Sequence, residues 1–374
     1  MSGEHAEDFV PLPVPPVKRT LEIDDCLQRL HALAMKQLDR LEIAGQLVPS
    51  VDWFLYGFVR KEAVVSSQIE GTRSTLTDLL EYEAELKAED PDLQDVCNVL
   101  EALAFARGEL SRGDGLPLSG RLFNEMHARL MRGVRGASMQ PGKVRRSQNW
   151  IGGTRPQNAD FVPPPPHRVP RLLAELERYI HSEDSLPPLI RVGLVHAQFE
   201  TIHPYLDGNG RLGRLLITLL LEHWGLLSKP LLYLSLFLKS HRETYYNSLN
   251  RVRRRGDWES WIDFFLEGVC HIARQAANQA ADLSTIVHQD RRRLLAHPKA
   301  SVSAHRLFEL LPHNPIVTAR RASALLETSY PSARKALAVL ESAGLLKETT
   351  GRQRGQRFSY ERYLAKLSEG TEGD

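Results

Sequence analysis

Apolar residues in the first third of the chain recur at helical spacing. Leu27, Leu30, Leu33 and Ala34 form one series, and Leu76, Leu79 and Leu80 another. This period places each set on one face of an α-helix. Residues 20–112 therefore read as an N-terminal helical region, with breaks at Pro49–Ser50 and around Pro91. The stretch GDGLPL then forms a loop ending in a helix cap at Ser119. Segment 143–166, KVRRSQNWIGGTRPQNADFVPPPP, departs from the helical pattern. Two short apolar runs flank a Gly152–Gly153 turn and four prolines close it, which predicts a small β-hairpin.

Helical periodicity resumes at Val169. Val192, Val195, Phe199 and Ile202 share a face, as do Leu212, Leu215, Leu216, Leu219 and Leu220, and Gly225 ends that helix. Two further helical stretches follow, over 231–255 and 257–288, before a basic break at RRRLLAHP. Residues 300–365 read as a separate winged helix-turn-helix domain. RASALLE, the turn TSYPS and ARKALAVLESAGLL supply the two helices, and ETTGRQRGQRFSYERY supplies the wing. Residues 1–19, acidic and then proline-rich, read as an extended arm. The predicted class is mainly α.

A length of 374 residues gives room for two or three domains, and a net charge of +2 does not mark the whole molecule as a polyanion binder. The charge is uneven, however: between Asp290 and Arg362 there are fourteen Lys/Arg against six Asp/Glu. The surplus focuses any nucleic-acid role on the tail. There, Ser332, Arg334 and Lys335 would face a DNA groove, with Arg352, Arg354 and Arg357 on phosphates. Cys26, Cys97 and Cys270 have neither disulfide-framework nor metal spacing. No run reaches the roughly 18 apolar residues of a membrane span, so a soluble, cytoplasmic protein is expected.

The chemistry concentrates in HPYLDGNGRLGR, residues 203–214. It contains Gly208-x-Gly210-x-x-Gly213, the spacing of a dinucleotide fingerprint, but a helix precedes it where that fingerprint needs a strand. A glycine-rich turn opening a helix remains a phosphate cradle, because the first N–H groups of the helix are unpaired and the dipole adds positive charge. Arg211 and Arg214, three apart, suit the outer phosphates of a nucleotide. Asp207 at the lip is placed to hold Mg²⁺. His203 is the natural general base.

These residues resemble the signature of the Fic family, HPFx(D/E)GNGRxxR, with Tyr205 in place of the usual Phe. NWIGG…FVPPPP resembles the flap hairpin of that family, and residues 113–288 its helical core. The resemblance implies a protein adenylyltransferase that moves AMP from ATP to a Ser, Thr or Tyr hydroxyl. His203 would deprotonate the hydroxyl, and Asp207 would bind Mg²⁺ with the ATP phosphates. Gly208, Asn209 and Gly210 would form the anion hole, and Arg211 would grip the outer phosphates. The target protein would dock on the flap, 149–166, and self-modification and a homodimer are compatible with this reading.

A second resemblance lies upstream. Ser66-x-x-x-Glu70-Gly71 is similar to the inhibitory motif (S/T)xxxE(G/N) of Fic proteins. Glu70 falls in the last turn of a predicted helix, where a carboxylate faces the negative dipole end at a cost of about 0.3–1 kcal/mol unless a cation answers it. The resemblance implies that Glu70 pairs with Arg214 and takes the γ-phosphate position, which makes the enzyme autoinhibited. Two other readings stay open: a de-AMPylase, and a nucleotide-sensing transcriptional regulator that binds DNA through 300–365.

Overall fold

A computed structural model describes residues 9–14, 21–47, 51–85, 90–133, 138–352 and 355–372. The break at Pro49–Ser50, most of the arm and Arg354 lie outside the described residues.

Helices α1 (Asp25–Leu47), α2 (Val51–Ile69), α3 (Leu76–Glu85) and α4 (Pro91–Ser111) form the N-terminal region. The buried stripe of α1 runs through Leu27, Ala34, Leu38 and Leu41, whereas Leu33 faces out, 46% exposed. Leu33 and Ala34 are neighbours some 100° apart on a helix, so only one of them can join the stripe. Helix α5 (Gly120–Leu130) starts where Ser119 Oγ accepts the Leu122 N–H at 3.3 Å.

The segment 149–166 folds back on itself but makes a single antiparallel bridge, Ile151 to Phe161, in place of a strand ladder. Gly152 and Gly153 turn with φ of 70° and 66°. Pro156 and the run from Pro163 to Pro166 contribute no N–H donors, so the pairing cannot extend.

Helices α6 (Val169–His181), α7 (Pro188–Ile202) and α8 (Asn209–His223) follow. α7 is buried nearly all round, and α8 is buried from Arg211 to Leu221. These two helices are the centre of the molecule, and the 203–214 motif spans their turn. The predicted stretch 231–255 divides into α9 (Ser235–Ser240) and α10 (Arg242–Arg255) at His241.

The basic break expected near 290 does not occur. Helix α11 runs from Trp258 to Leu295, straight through Arg291–Arg293. Proline is absent until Pro298, and the charges find partners: Arg291 pairs with Glu309 at 2.6 Å, and Arg293 and Arg362 both pair with Asp290. One rigid helix therefore joins the core to the C-terminal module.

That module contains α12 (Val302–Leu310), β1 (Ile316–Thr318), α13 (Ala319–Leu325), α14 (Tyr330–Ser342), β2 (Lys347–Glu348), β3 (Arg357–Ser359) and α15 (Glu361–Leu367). Its antiparallel sheet has the order β1-β3-β2. The expected hairpin stops at Ser359, because Glu361–Leu367 turns helical and buries Tyr363, Leu364 and Leu367. No helix among the described residues is long and apolar enough to cross a membrane.

Candidate active site

Helix α7 ends at His203, whose N–H donates to Phe199 O at 2.9 Å. His203 lies in the left-handed region, φ 48° and ψ 63°, a costly place for a residue with a Cβ. Arg145 holds the bend from outside the motif: its Nε donates to His203 O at 2.9 Å and its backbone N–H to Pro204 O at 3.0 Å. Asn209 closes the loop from within. Tyr205 N–H donates to Asn209 Oδ1 and Asn209 Nδ2 donates back to Tyr205 O, each at 2.8 Å.

Helix α8 then begins with Gly208 at φ 76°, and its first internal bond runs from Leu212 N–H to Gly208 O. The N–H groups of Asn209, Gly210 and Arg211 have no acceptor within the helix, which makes the cradle. A Cβ at Gly208 would come within 2.7 Å of Met131 Sδ, so that turn is open only to glycine.

His127, on α5, was not singled out by the motif, yet it supports the loop from below. Its ring stacks on Tyr205 with centroids 3.9 Å apart. Gly142 N–H donates to Nδ1 at 2.8 Å, which leaves Nε2 as the donor to Asp207 O at 2.9 Å. Burial pulls His127 down to about 4, so both bonds stand with a neutral ring.

His203 is also held neutral. Burial, with the guanidinium charges of Arg253 and Arg145, lowers it to about 3, while the backbone carbonyl of Glu200 as acceptor and the charge of Glu70 work the other way. The acceptor form needed by a general base is therefore present across the neutral range. A bound polyphosphate would bring negative charge that raises it.

Arg214 is 2% exposed and meets the end of α2. Its Nε donates to Ser66 Oγ at 2.8 Å, and its Nη2 donates to Ser66 O at 2.9 Å and to Glu70 Oε1 at 2.7 Å. Burial works to raise Glu70, but Arg214 and Arg211 more than offset it and the carboxyl lies below its ordinary range. The same carboxylate stands over the cradle: a Cβ added at Gly210 would collide with Glu70 Oε1 and come within 3.0 Å of Arg214 Nη1. Glu70 thus sits where the helix N-terminus receives an anion. Gly71, at φ 100°, lets the chain leave α2 immediately afterwards.

Arg211 points elsewhere. It is buried, its Nη1 lies 3.3 Å from Asp95 Oδ1 on α4, and its Nη2 lies 3.6 Å from Met131 Sδ. Asp207 is exposed at the lip, with its Oδ1 accepting the Gly208 N–H at 2.7 Å. Glu200, one turn before His203, is a further buried carboxyl that the motif did not mark. Burial raises it to about 7 against the pull of Arg214. The folded-back segment is tied to the same loop: Asn149 Nδ2 donates to Tyr205 O at 2.9 Å and Gln148 Nε2 to Pro163 O at 2.7 Å. Trp150 beside it is 41% exposed.

Among the described residues no cluster of three or more His, Cys, Asp or Glu side chains could hold a metal ion. The C-terminal basic residues divide. Arg334, Lys335 and Arg352 are exposed. Arg357, expected on phosphates, is instead packed against α3 with its Nη1 2.5 Å from Glu81 Oε2.

Residues 117–221 match the Fic/DOC family and residues 28–107 the Fic/DOC family N-terminal region. Over 145 residues the chain is 32% identical to the protein adenylyltransferase Fic of Drosophila erecta and to that of Drosophila melanogaster, which covers 38% of this chain. The chain spans only about a quarter of the length of those curated relatives, 26%. A Fic family protein from Desulfovibrio desulfuricans superposes with a TM-score of 0.58 at 21% identity, covering 91% of this chain and 97% of that one. Fic-1 of C. elegans, residues 134–508, gives 0.52 at 19% identity, covering 69% and 73%. Residues 28–107 and 117–221 are thus the parts that match the Fic/DOC family in sequence, and the fold is shared with a Fic family protein across most of the chain's length.

Proposed function

We propose that the protein transfers the adenylyl group of ATP to a Ser, Thr or Tyr hydroxyl of a protein target, and that Glu70 holds it in an inhibited state. The observation that carries this reading is the Glu70 carboxylate seated over Gly210 and bonded to Arg214 at 2.7 Å. One acidic side chain fills the anion cradle that the motif builds.

In the released state His203 accepts the proton of the target hydroxyl. The oxygen attacks the α-phosphorus, the bond to the bridging oxygen breaks, and pyrophosphate leaves. The N–H groups at Asn209 and Gly210 meet the growing phosphate charge, and Arg214, freed from Glu70, takes the outer phosphates. Catalysis of this kind is mostly positioning and charge stabilisation. Asp207 fits Mg²⁺ as a single exposed carboxylate, since Mg²⁺ on a nucleotide draws its other ligands from phosphates and water. The ion would neutralise phosphate charge there. With Arg211 engaged by Asp95, its part is to hold α8 against α4.

The target docks beside the folded-back segment 149–166, where Trp150 offers an exposed aromatic anchor. The C-terminal module serves as a winged-helix unit. With Arg357 occupied by Glu81, any polyanion contact rests on Arg334, Lys335 and Arg352 among the described residues.

The test is His203→Ala in a Glu70→Gly background, with ATP labelled on the α-phosphate. Transfer falls by about 10²–10⁴ while ATP affinity is retained; undiminished transfer removes His203 from the role of base.

A further inference from the structure

The inhibitory end of α2 is held from the far end of the chain. Gln68, two residues before Glu70 and 8% exposed, donates through Nε2 to Ser74 O at 2.9 Å and to Thr371 O at 3.1 Å. Lys239 of α9 closes the circuit, its Nζ donating to Gln68 Oε1 at 3.2 Å and to Glu372 O at 3.3 Å.

The tail is itself anchored. Thr371 is 1% exposed, with its N–H and Oγ1 both bonded to Ser368 O. Gly370, at φ 81°, fits against Leu236, where a Cβ would come within 3.1 Å. Leu367, fully buried, packs onto Gly57 in the middle of α2 so closely that a Cβ there would lie 2.7 Å from it. Gln279 of α11 donates to Lys366 O at 2.5 Å.

From these contacts we infer that the segment 368–372, together with α15, is a latch that keeps the last turn of α2 in the geometry placing Glu70 on Arg214, with Gln68 as the positioning residue. This inference rests on the proposed inhibitory role of Glu70. The physical argument is one of helix ends. The last turn of α2 has carbonyls without intrahelical partners and no basic residue of its own, and Arg214 of α8 answers it only at Ser66 O and Glu70. Its N–H bonds are short-range: Glu70 to Ser67 O, Gly71 to Gln68 O and Thr72 to Ser67 O. Such a turn frays unless side chains hold it. Here Arg214 and Lys239 hold the turn from one side and a segment some three hundred residues away holds it from the other, so an event that moves the C-terminal module removes part of what fixes Glu70.

The test uses the full chain with Gly370→Val, which strains the tail without touching α2, and Gln68→Leu, which removes the amide from the other side. Hydrogen exchange at the amides of Glu70, Gly71 and Thr72 is read alongside self-modification from labelled ATP. Loss of the two tail-side bonds should raise exchange at 70–72 and self-modification by a factor of about 5–30. In a Glu70→Gly background the same substitutions should add nothing.

Unchanged exchange at 70–72 while exchange at 368–372 rises overturns the latch. An equal rise in activity in the Glu70→Gly background overturns its action through Glu70. If Glu70→Gly alone fails to activate, the inhibitory reading of Glu70 is what fails, and the exchange data still decide whether the tail holds α2.

Discussion

Substituting His127 by Phe isolates the support beneath the motif. Phe keeps the stack on Tyr205 but leaves Gly142 N–H and Asp207 O, bonded to the ring at 2.8 and 2.9 Å, without partners. Orphaning two part-buried polar groups, each at the low end of roughly 1–3 kcal/mol, predicts a loss of about 2–3 kcal/mol at neutral pH.

Acid changes the comparison in a definite direction. Burial lowers His127 from 6.5 to about 4. The unfolded chain therefore takes up its proton first, and stability fully present above 6.5 is given up as the pH falls towards 4. At about pH 5 this removes roughly 2 kcal/mol from the wild type and nothing from His127→Phe. His196 and His203, also lowered by burial, are common to both proteins and cancel. Urea unfolding followed by tryptophan fluorescence at about pH 7.5 and about pH 5 measures both gaps by linear extrapolation. The stability gap should shrink by about 2 kcal/mol on acidification; a gap independent of pH, or no gap at neutral pH, refutes the neutral, doubly bonded ring.

Two other perturbations probe the brake and the helix that carries it. Ser66→Ala removes the hydroxyl that accepts from Arg214 Nε at 2.8 Å and strands a buried guanidinium N–H, so self-modification from labelled ATP should rise by about tenfold; an unchanged rate means that Ser66 does not hold Arg214 in place. Lys61, fully buried in α2, is lowered to about 8 by burial, although Glu369 and Glu372 work to raise it. Because the folded chain releases this proton first, wild-type stability should climb as pH rises through 8 towards 10.5. Lys61→Met should be more stable at neutral pH by about 1–3 kcal/mol and lack that climb, which thermal unfolding across the range will show.

The residues whose roles depend on local order were legible in the chain. Gly208 needs a positive φ, Ser119 caps a helix, and a helix follows the glycines, all of which spacing and residue type dictate. The buried helices α7 and α8 were legible for the same reason. What escaped depends on partners distant in sequence. Arg211 and Arg357 are basic residues near candidate phosphates, and nothing nearby indicates that Asp95 and Glu81 claim them. His127 lies among apolar neighbours on α5, where a histidine carries no signal until Tyr205 arrives from another helix. The basic run Arg291–Arg293 reads as a break in sequence, whereas Glu309 and Asp290 answer two of its charges and α11 continues. The flap kept its turn but lost its ladder, since its closing prolines carry no donors.

The proposed inhibition requires Glu70 to occupy the anion cradle and withhold Arg214 from ATP. Its most direct test compares transfer of α-phosphate label from ATP to protein by the wild type and by Glu70→Gly, at matched concentration and with both shown to be folded. Slow transfer is expected from the wild type and a rise of at least about tenfold from Glu70→Gly, since a part-buried hydrogen bond between charged groups is worth about 1.4 kcal/mol or more. Equal rates in the two proteins would contradict it.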